Sequence, residues 1–180
     1  EQTDEQRQLM LDVNAGGTIN GTIAAIRAMK EAGHGGHVVN IVSLAGLTAV
    51  PGEGVYAASK HAALGFSLSA AQDLRLAGIR NIDISCVCPD GIWTPMLFDK
   101  LDDPKAALSF SGKLLQPREV VAAVAKVLDR PRPVTSVPGW RGAIARFGDA
   151  VPRFGLAAIP LVVAQGKRTQ AKLRKNPPQT

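Results

Sequence analysis

The most constraining feature of this sequence is the short run His37-Val-Val-Asn-Ile-Val-Ser43, in which apolar and polar residues hardly alternate. A strand with one face in water alternates, whereas a strand of a parallel sheet is covered on both faces and is almost continuously apolar and β-branched. Residues 81–89 also read as a strand, which ends in a Pro-Asp-Gly turn. The first run therefore predicts a strand buried on both faces of a parallel sheet.

Helical patterns surround these two strands. The pair Thr3 and Gln6 is a capping-box signature and opens a long helical pattern that should end near Gly33. Two consecutive glycines, Gly16 and Gly17, weaken that helix and predict a local distortion.

The remaining segments continue the alternation of helix and strand. We expect a helix over residues 56–77 closed by Gly78, an irregular functional loop over 95–115, a helix from Pro117 to before Pro131, and a last strand over 134–137. Crossovers of this kind predict an α/β fold with a doubly wound parallel sheet. In such sheets ligands bind at the carboxyl ends of the strands, which places Ser43 and the turn after Pro89 at the expected site.

Length, composition and charge exclude several classes of protein. A chain of 180 residues, 46% of them hydrophobic, fits one soluble domain or part of one. Residues 1–5 are polar and acidic and predict no secretory signal, and no apolar run reaches the roughly 18 residues of a membrane span.

Residues 1–129 carry 11 basic and 14 acidic side chains, whereas residues 130–180 carry 10 basic and one acidic. Positive charge therefore belongs to the tail. A basic tail can meet nucleic acid or anionic lipid, but we predict no nucleic-acid partner, because such tails are more often simply solvated.

The cysteines and histidines indicate no disulfide and no metal site. Cys86 and Cys88 are two apart in a strand, so both point to one face and are poorly placed to bridge each other. They are predicted to be small buried hydrophobes, consistent with a reducing cytoplasm. His34 and His37 are predicted to be solvated loop residues without a metal.

Tyr56 and Lys60 supply the first chemical signal. They lie four residues apart at the beginning of a helix, so their side chains share one face. A free tyrosine has a pKa of about 10, and a neighbouring ammonium would lower that pKa and let the phenol exchange a proton with an alcohol or carbonyl. Ser43 ends a buried strand thirteen residues earlier and is followed by Ala45 and Gly46, which would leave room for a small substrate. Taken alone, Ser43 could cap a turn, Tyr56 could be a core tyrosine and Lys60 could be solvated.

Two segments together resemble the active-site region of short-chain dehydrogenases/reductases: Asn40-Ile-Val-Ser43-Leu-Ala-Gly46 and Tyr56-Ala-Ala-Ser-Lys60-His-Ala-Ala-Leu-Gly65-Phe66. The resemblance spans Asn14 to about Leu128. It implies a Rossmann-like fold and an NAD(P)-dependent oxidoreductase that interconverts an alcohol and a carbonyl compound. Tyr56 would be the general acid/base, Ser43 would hydrogen-bond the reacting oxygen, and Lys60 would bind the nicotinamide ribose and lower the pKa of the tyrosine.

The same resemblance assigns two further regions. Asn14 would hold a water in the proton relay. Alternatively, Val13-Asn14-Ala15-Gly16 is the family's Asn-Asn-Ala-Gly strand end, but only 29 residues separate Asn14 from Ser43 and the preceding residues look helical, so a helical Asn14 is favoured. The turn Pro89-Asp90-Gly91-Ile92-Trp93-Thr94 resembles the family's Pro-Gly turn, in which Pro89, Asp90, Gly91, Ile92 and Thr94 would hold the cofactor carboxamide. Asp90 replaces the usual glycine, and an aspartate can adopt a positive φ at modest cost.

The sequence contains no Thr-Gly-x-x-x-Gly-x-Gly phosphate loop and no residue that would select the adenosine ribose. The chain therefore resembles the C-terminal two-thirds of the domain without its N-terminal βαβ units, and the choice between NAD and NADP stays open. Alone it is expected to bind a dinucleotide weakly and to be inactive. We expect a homodimer or homotetramer in the cytoplasm, and a catalytically silent module used for association is the alternative function.

The tail forms a predicted second region, so that residues 1–139 hold the catalytic domain and residues 140–180 a basic, apolar-rich extension. Aromatic and aliphatic residues alternate there with arginines and lysines. This pattern suits a surface helix on an anionic membrane or a flap over an apolar substrate cleft, and packing on the enzyme's own body is the third alternative. Trp93, Met96, Leu97 and Phe98 suggest an apolar pocket for a small, apolar alcohol or carbonyl substrate.

Overall fold

The computed structural model describes residues 2–175, and its elements alternate as the sequence predicts. The helices are α1 (Asp4–Leu11), α2 (Gly17–Glu31), α3 (Gly54–Leu76), α4 (Pro95–Phe98), α5 (Pro117–Asp129), α6 (Gly139–Ala150) and α7 (Pro152–Lys175). A π-helical turn, Asp12–Gly16, joins α1 to α2, and 3₁₀ helices cover Leu44–Gly46 and Pro104–Phe110. The strands are β1 (Gly36–Ile41), β2 (Ile82–Pro89) and β3 (Val134–Val137).

The three strands form one parallel sheet in the order β1-β2-β3. In its register Val38 lies opposite Ile84, and Cys86 lies opposite Val134. The predicted α/β class with a parallel sheet is confirmed. The first strand ends earlier than predicted, at Ile41. Val42 makes one more hydrogen bond to β2, from its N–H to the Val87 carbonyl (2.8 Å), and a 3₁₀ helix then begins after Ser43.

Helices pack on both faces of the sheet, but the predicted full burial of the first strand is not seen: β1 is half-buried and Ile41 is 46% exposed, whereas β2 is buried. Val38 packs on one face with Leu74 of α3 and with Ile84. Its neighbour Val39 points to the other face, where Val87 meets α5 through Val127. Because each fully buried aliphatic side chain contributes about 1.5–3 kcal/mol, either face would be costly to expose.

The distortion predicted near Gly16 and Gly17 is present as the π-helical turn Asp12–Gly16. Thr3 caps α1 through the predicted capping box with Gln6. Thr18 donates from its hydroxyl to the Asn14 carbonyl at 2.7 Å, so the threonine side chain satisfies one backbone carbonyl of the π-helical turn. Single π-turns of this kind occur frequently at functional sites.

The loop over residues 95–115 is more ordered than the sequence suggests. The C-terminal helix α7 packs on it, and Gly166 lies so close that a Cβ there would be 1.8 Å from the Ala107 carbonyl oxygen. Gln170 is buried and donates from Nε2 to the carbonyls of Lys100 (3.3 Å) and Asp103 (2.9 Å). A helix some 65 residues further along the chain therefore satisfies the loop's backbone, which no local pattern could reveal.

Cys86 and Cys88 are free, fully buried and in one apolar cluster with Leu44, as predicted. Burial raises the pKa of the Cys88 thiol to about 11, so it stays protonated at neutral pH. The prediction for His37 was wrong: it lies within β1 and its Nε2 shares a hydrogen bond with the Ser85 hydroxyl at 2.8 Å.

Among residues 2–175, no helix combines the length and the apolar character that crossing a membrane requires.

The contact of α7 with the 3₁₀ helix predicts opposite effects for two glycine substitutions. Gly166→Ala should lower the free energy of unfolding by about 1–3 kcal/mol, because its methyl group would meet backbone. Gly65→Ala, within α3 and with no atom near its added methyl group, should raise that free energy by roughly 0.5–1 kcal/mol. Urea unfolding followed by circular dichroism measures both, and equal shifts would contradict the α7 contact.

Candidate active site

Ser43, Tyr56 and Lys60 meet at the carboxyl end of β1. The turn after Ser43 lies directly on α3, because a Cβ at Gly46 would be 2.8 Å from the Lys60 carbonyl oxygen and 2.8 Å from Cγ1 of Val42. Only a residue without a side chain permits this approach. The space at Gly46 that the sequence suggested for a substrate is therefore taken by the backbone of α3.

The Ser43 hydroxyl has a structural role and keeps a free proton. Its Oγ accepts a hydrogen bond from the Ala45 N–H at 3.1 Å and so caps the 3₁₀ helix. A hydroxyl has one donor and two acceptor sites, so this bond leaves its O–H available for a second partner. The Ser43 hydroxyl can therefore cap the turn and at the same time donate a hydrogen bond to the oxygen of a bound molecule.

Tyr56 lies in the first turn of α3, packed against Ala45, Val50, Ala57 and Leu108. Burial is the largest effect on its pKa and raises it above the ordinary value of 10.0. The Ser43 hydroxyl opposes the rise, Glu53 adds to it, and the ammonium of Lys100 opposes it. The phenol is therefore protonated at neutral pH.

Two lysines flank the tyrosine ring. Lys60 Nζ lies 5.7 Å from the ring centroid and Lys100 Nζ lies 5.8 Å from it, both within cation–π range. Lys60 also donates to the Ile41 carbonyl at 3.4 Å. Burial lowers the pKa of Lys60, and Cys88 opposes that change.

That Lys60 lowers the pKa of Tyr56 stays a prediction. The pKa of Tyr56 is raised, chiefly by burial, and the ammonium of Lys100 opposes the rise. Lys100 forms an ion pair with the largely buried Glu53, which also accepts from the Ser109 hydroxyl at 2.9 Å. Glu53 and Lys100 are 47 residues apart, so the sequence carried no local signal for this pair.

Asn14 lies in the π-helical turn, which agrees with the helical interpretation and not with a strand end. Its Nδ2 donates to the Ser59 hydroxyl at 3.1 Å, and Ser59 donates in turn to the Tyr56 carbonyl at 2.7 Å. Asn14 is thereby tied to the turn of α3 that carries Tyr56 and Lys60. Its place in a water relay stays a prediction. Ser59 is a positioning residue that the sequence analysis did not identify, although it lies between Tyr56 and Lys60.

The turn after β2 is held by backbone bonds on both sides. Asp90 N–H donates to the Val137 carbonyl (2.8 Å), and Leu115 N–H donates to the Gly91 carbonyl (2.8 Å). Ile92 forms a parallel bridge with Leu115, and Thr94 donates from Oγ1 to the Ile92 carbonyl at 3.3 Å. Asp90 does not have a positive φ, so no conformational cost arises from its replacing a glycine.

The Asp90 carboxylate is neutralised by the tail. Arg141 of α6 donates from Nε to Asp90 Oδ2 at 2.7 Å and from its terminal nitrogen to the Ser111 hydroxyl at 2.9 Å. The two charged side chains are only 9% and 18% exposed. Gly112 leaves room for the pair, because a Cβ there would be 2.4 Å from Asp90 Oδ2.

The apolar residues proposed for a substrate pocket are largely used in packing. Trp93 and Leu97 are buried with Phe110, and the rings of Trp93 and Phe98 are 4.1 Å apart at a tilt of 55°. Met96 is exposed. Among these four residues, only Met96 is fully open to solvent in this arrangement.

Comparison with known proteins gives consistent findings. A family model described as short chain dehydrogenase matches residues 1–105, more than half of the chain. An uncharacterized NAD-dependent oxidoreductase of Mycobacterium tuberculosis is 42% identical over 113 residues, which is 63% of this chain and 38% of that protein. Cyclopentanol dehydrogenase of a Comamonas species is 36% identical over 127 residues, which is 68% of this chain and 49% of that protein.

Solved structures show the same fold. A short chain dehydrogenase from Burkholderia cenocepacia, solved in complex with NADP, superposes with a TM-score of 0.67 at 27% identity, covering 87% of this chain and 59% of that one. An acetoin dehydrogenase from Enterobacter cloacae superposes with a TM-score of 0.59 at 26% identity, covering 76% of this chain and 56% of that one. The chain therefore spans about half the length of the relatives that it matches.

Removing one partner of the Asp90–Arg141 pair should be costly. We expect Arg141→Met to lower the free energy of unfolding by about 3 kcal/mol, because it leaves a buried carboxylate without a partner. The double variant Asp90→Asn with Arg141→Met should recover most of that loss. Arg130→Met, in an exposed ion pair with Asp129, is the matched control and should change the free energy by less than about 1 kcal/mol. Urea unfolding measures all of these, and an additive double variant would contradict the pairing.

Tyr56 is the single tyrosine of the chain, so the near-ultraviolet absorbance of phenolate reports its titration alone. We expect a midpoint above 10.0 in the folded chain and about 10 in concentrated urea. Lys100→Met should raise the midpoint further and Glu53→Gln should lower it. Lys60→Met should also raise the midpoint, because its ammonium lies at a matching distance from the ring. Circular dichroism at each pH shows that the chain is folded. An unchanged midpoint in Lys100→Met would contradict the effect of that ammonium.

Proposed function

Since the chain belongs to the short-chain dehydrogenase family, we propose that the protein is an NAD(P)-dependent oxidoreductase that interconverts an alcohol and a carbonyl compound. The observation that carries this proposal is the meeting of the Ser43 hydroxyl, the Tyr56 phenol and the Lys60 ammonium at the carboxyl end of β1. Ligands of parallel α/β sheets bind at this edge. The family explains why these three groups lie together, and their environment indicates what each can do.

In the proposed reaction Tyr56 donates its phenolic proton to the carbonyl oxygen of the substrate. Burial keeps this phenol protonated at neutral pH, so it is already in the state that reduction of a carbonyl requires. Ser43 donates its free O–H to the same oxygen and holds it against Tyr56. Alcohol oxidation requires the phenolate, and the Lys100 ammonium is the charge that favours it.

The residues fit the nicotinamide end of a dinucleotide. The cofactor supplies or accepts a hydride when bound. Lys60 has donor sites left beyond the bond to Ile41 and would hold the ribose. The turn of Pro89, Asp90, Gly91, Ile92 and Thr94 would hold the carboxamide, and Arg141 neutralises the one carboxylate in that turn.

No glycine-rich phosphate loop occurs in the 180 residues, so the pyrophosphate has no helix N-terminus of that kind here. We therefore propose that these 180 residues alone are inactive and bind NAD or NADP weakly. The relative from Mycobacterium tuberculosis is named NAD-dependent and the Burkholderia structure holds NADP, so both cofactors stay in the proposal.

Three further features belong to this proposal. The substrate is a small, apolar alcohol or carbonyl compound, which the exposed Met96 of α4 favours. The protein is a homo-oligomer, which the exposed Ile23 of α2 and Leu68 of α3 favour. It acts in the cytoplasm, a reducing compartment that suits the free cysteines.

The test is the replacement of Tyr56 by Phe in the protein at its natural length, with NAD and NADP each supplied. Turnover of carbonyl substrates should fall by roughly 10²–10⁴-fold, because the general acid is lost while the ring is kept. Ser43→Ala should also slow turnover, whereas Ser69→Ala, exposed on α3, is the matched control and should not. Near-normal rates for Tyr56→Phe, or no turnover by the unsubstituted protein, would leave the alternative of a silent association module.

A further inference from the structure

The outer side of α6 and the beginning of α7 expose large apolar side chains. They are Trp140, Ile144, Phe147, Phe154 and Leu161, each between 60% and 77% exposed. On α6 the three residues follow the spacing of one helical face, and on α7 the two residues are two turns apart on one face. We call these five residues the outer face.

The rest of both helices explains why the outer face points to solvent. The opposite side of α6 is held to the body, by Arg141 on Asp90 and by Gly142, where a Cβ would be 1.9 Å from the Ser136 hydroxyl oxygen. The C-terminal half of α7 is fixed at Gly166 and Gln170. A close approach of Gly155 to the Gly148 carbonyl joins the two helices at their adjoining ends. Packing on the body, the third alternative for the tail, therefore accounts for the inner sides only.

Cations without acidic partners lie on α7, the helix that carries Phe154 and Leu161. Arg153, Lys167 and Arg168 are exposed and make no ion pair within residues 2–175. Asp149 is the single acidic residue from position 130 to the end of the sequence, against 10 basic ones. Apolar and aromatic side chains with unpaired cations beside them match an anionic lipid interface, in which the former enter the headgroup region and the latter meet phosphates.

We propose that the outer face binds the surface of an anionic membrane. The helices lie on the surface and do not cross it, because no described helix is long and apolar enough to span. Trp140 is the anchor at the level of the headgroups, where an amphipathic indole is favoured. A protein partner is the less favoured occupant, since the unpaired positive charge around the face is complementary to any anionic headgroup.

The experiment is flotation of the full 180-residue chain with vesicles of phosphatidylcholine mixed equally with phosphatidylglycerol. We expect binding to these vesicles, weaker binding in high salt, and little binding to pure phosphatidylcholine. The fluorescence of Trp140 should shift to the blue on binding, and Trp140→Phe should remove that shift, because the second tryptophan, Trp93, is already buried.

Two matched double variants separate this face from general stickiness. Phe147→Ser with Phe154→Ser should weaken binding by roughly tenfold or more, because two buried rings are lost. Leu76→Ser with Val121→Ser removes two equally exposed apolar side chains from α3 and α5 and should leave binding unchanged. The proposal would be overturned by equal binding to both vesicle types, by equal loss of binding in both double variants, or by no flotation. It would also be overturned if the chain self-associates without vesicles and the first double variant abolishes that self-association.

Discussion

The approach of the turn after β1 to the backbone of α3 is the constraint on which the candidate site depends. A Cβ at Gly46 would be 2.8 Å from the Lys60 carbonyl oxygen, so the turn and the helix meet at a distance that only glycine allows. This contact brings the end of β1, which leads to Ser43, to the first turns of the helix that carries Tyr56 and Lys60. The Asn14 to Ser59 bond ties the N-terminal helices to the same turns. The geometry of the site is therefore a result of backbone packing more than of attraction between its polar side chains.

Burial and charge compete at Tyr56, and burial has the larger effect. Desolvation raises the pKa of the phenol, while Ser43 and Lys100 lower it. The position of Lys100 is itself set by Glu53 and by the loop that α7 covers. Lys100 makes the smallest of these contributions, and its backbone carbonyl accepts from Gln170 of α7.

The tail has two sides with different physical roles. Its inner side supplies Arg141 to the turn after β2 and Gln170 to the loop, so it completes hydrogen bonds that the preceding residues leave open. Its outer side leaves aromatic residues and unpaired cations in solvent. A helix pair that only packed on the body would have polar residues on that outer side. The turn after β2 and the outer face are both in contact with α6.

The sequence by itself determined the features that depend on neighbours along the chain. These are the alternation of helices and parallel strands, the capping box at Thr3, the distortion at Gly16 and Gly17, and the burial of Cys86 and Cys88. Each follows from a period of two or 3.6 residues or from the backbone freedom of glycine, and both are local properties. The meeting of Ser43, Tyr56 and Lys60 was also predictable, because strand end and helix start share one edge of the sheet. Only the tertiary structure decided that Lys100 acts on Tyr56, that Glu53 holds Lys100, and that Arg141 neutralises Asp90. Charge pairing depends on distance in space and on exclusion of water, and neither can be read from positions that lie about 50 residues apart in the chain.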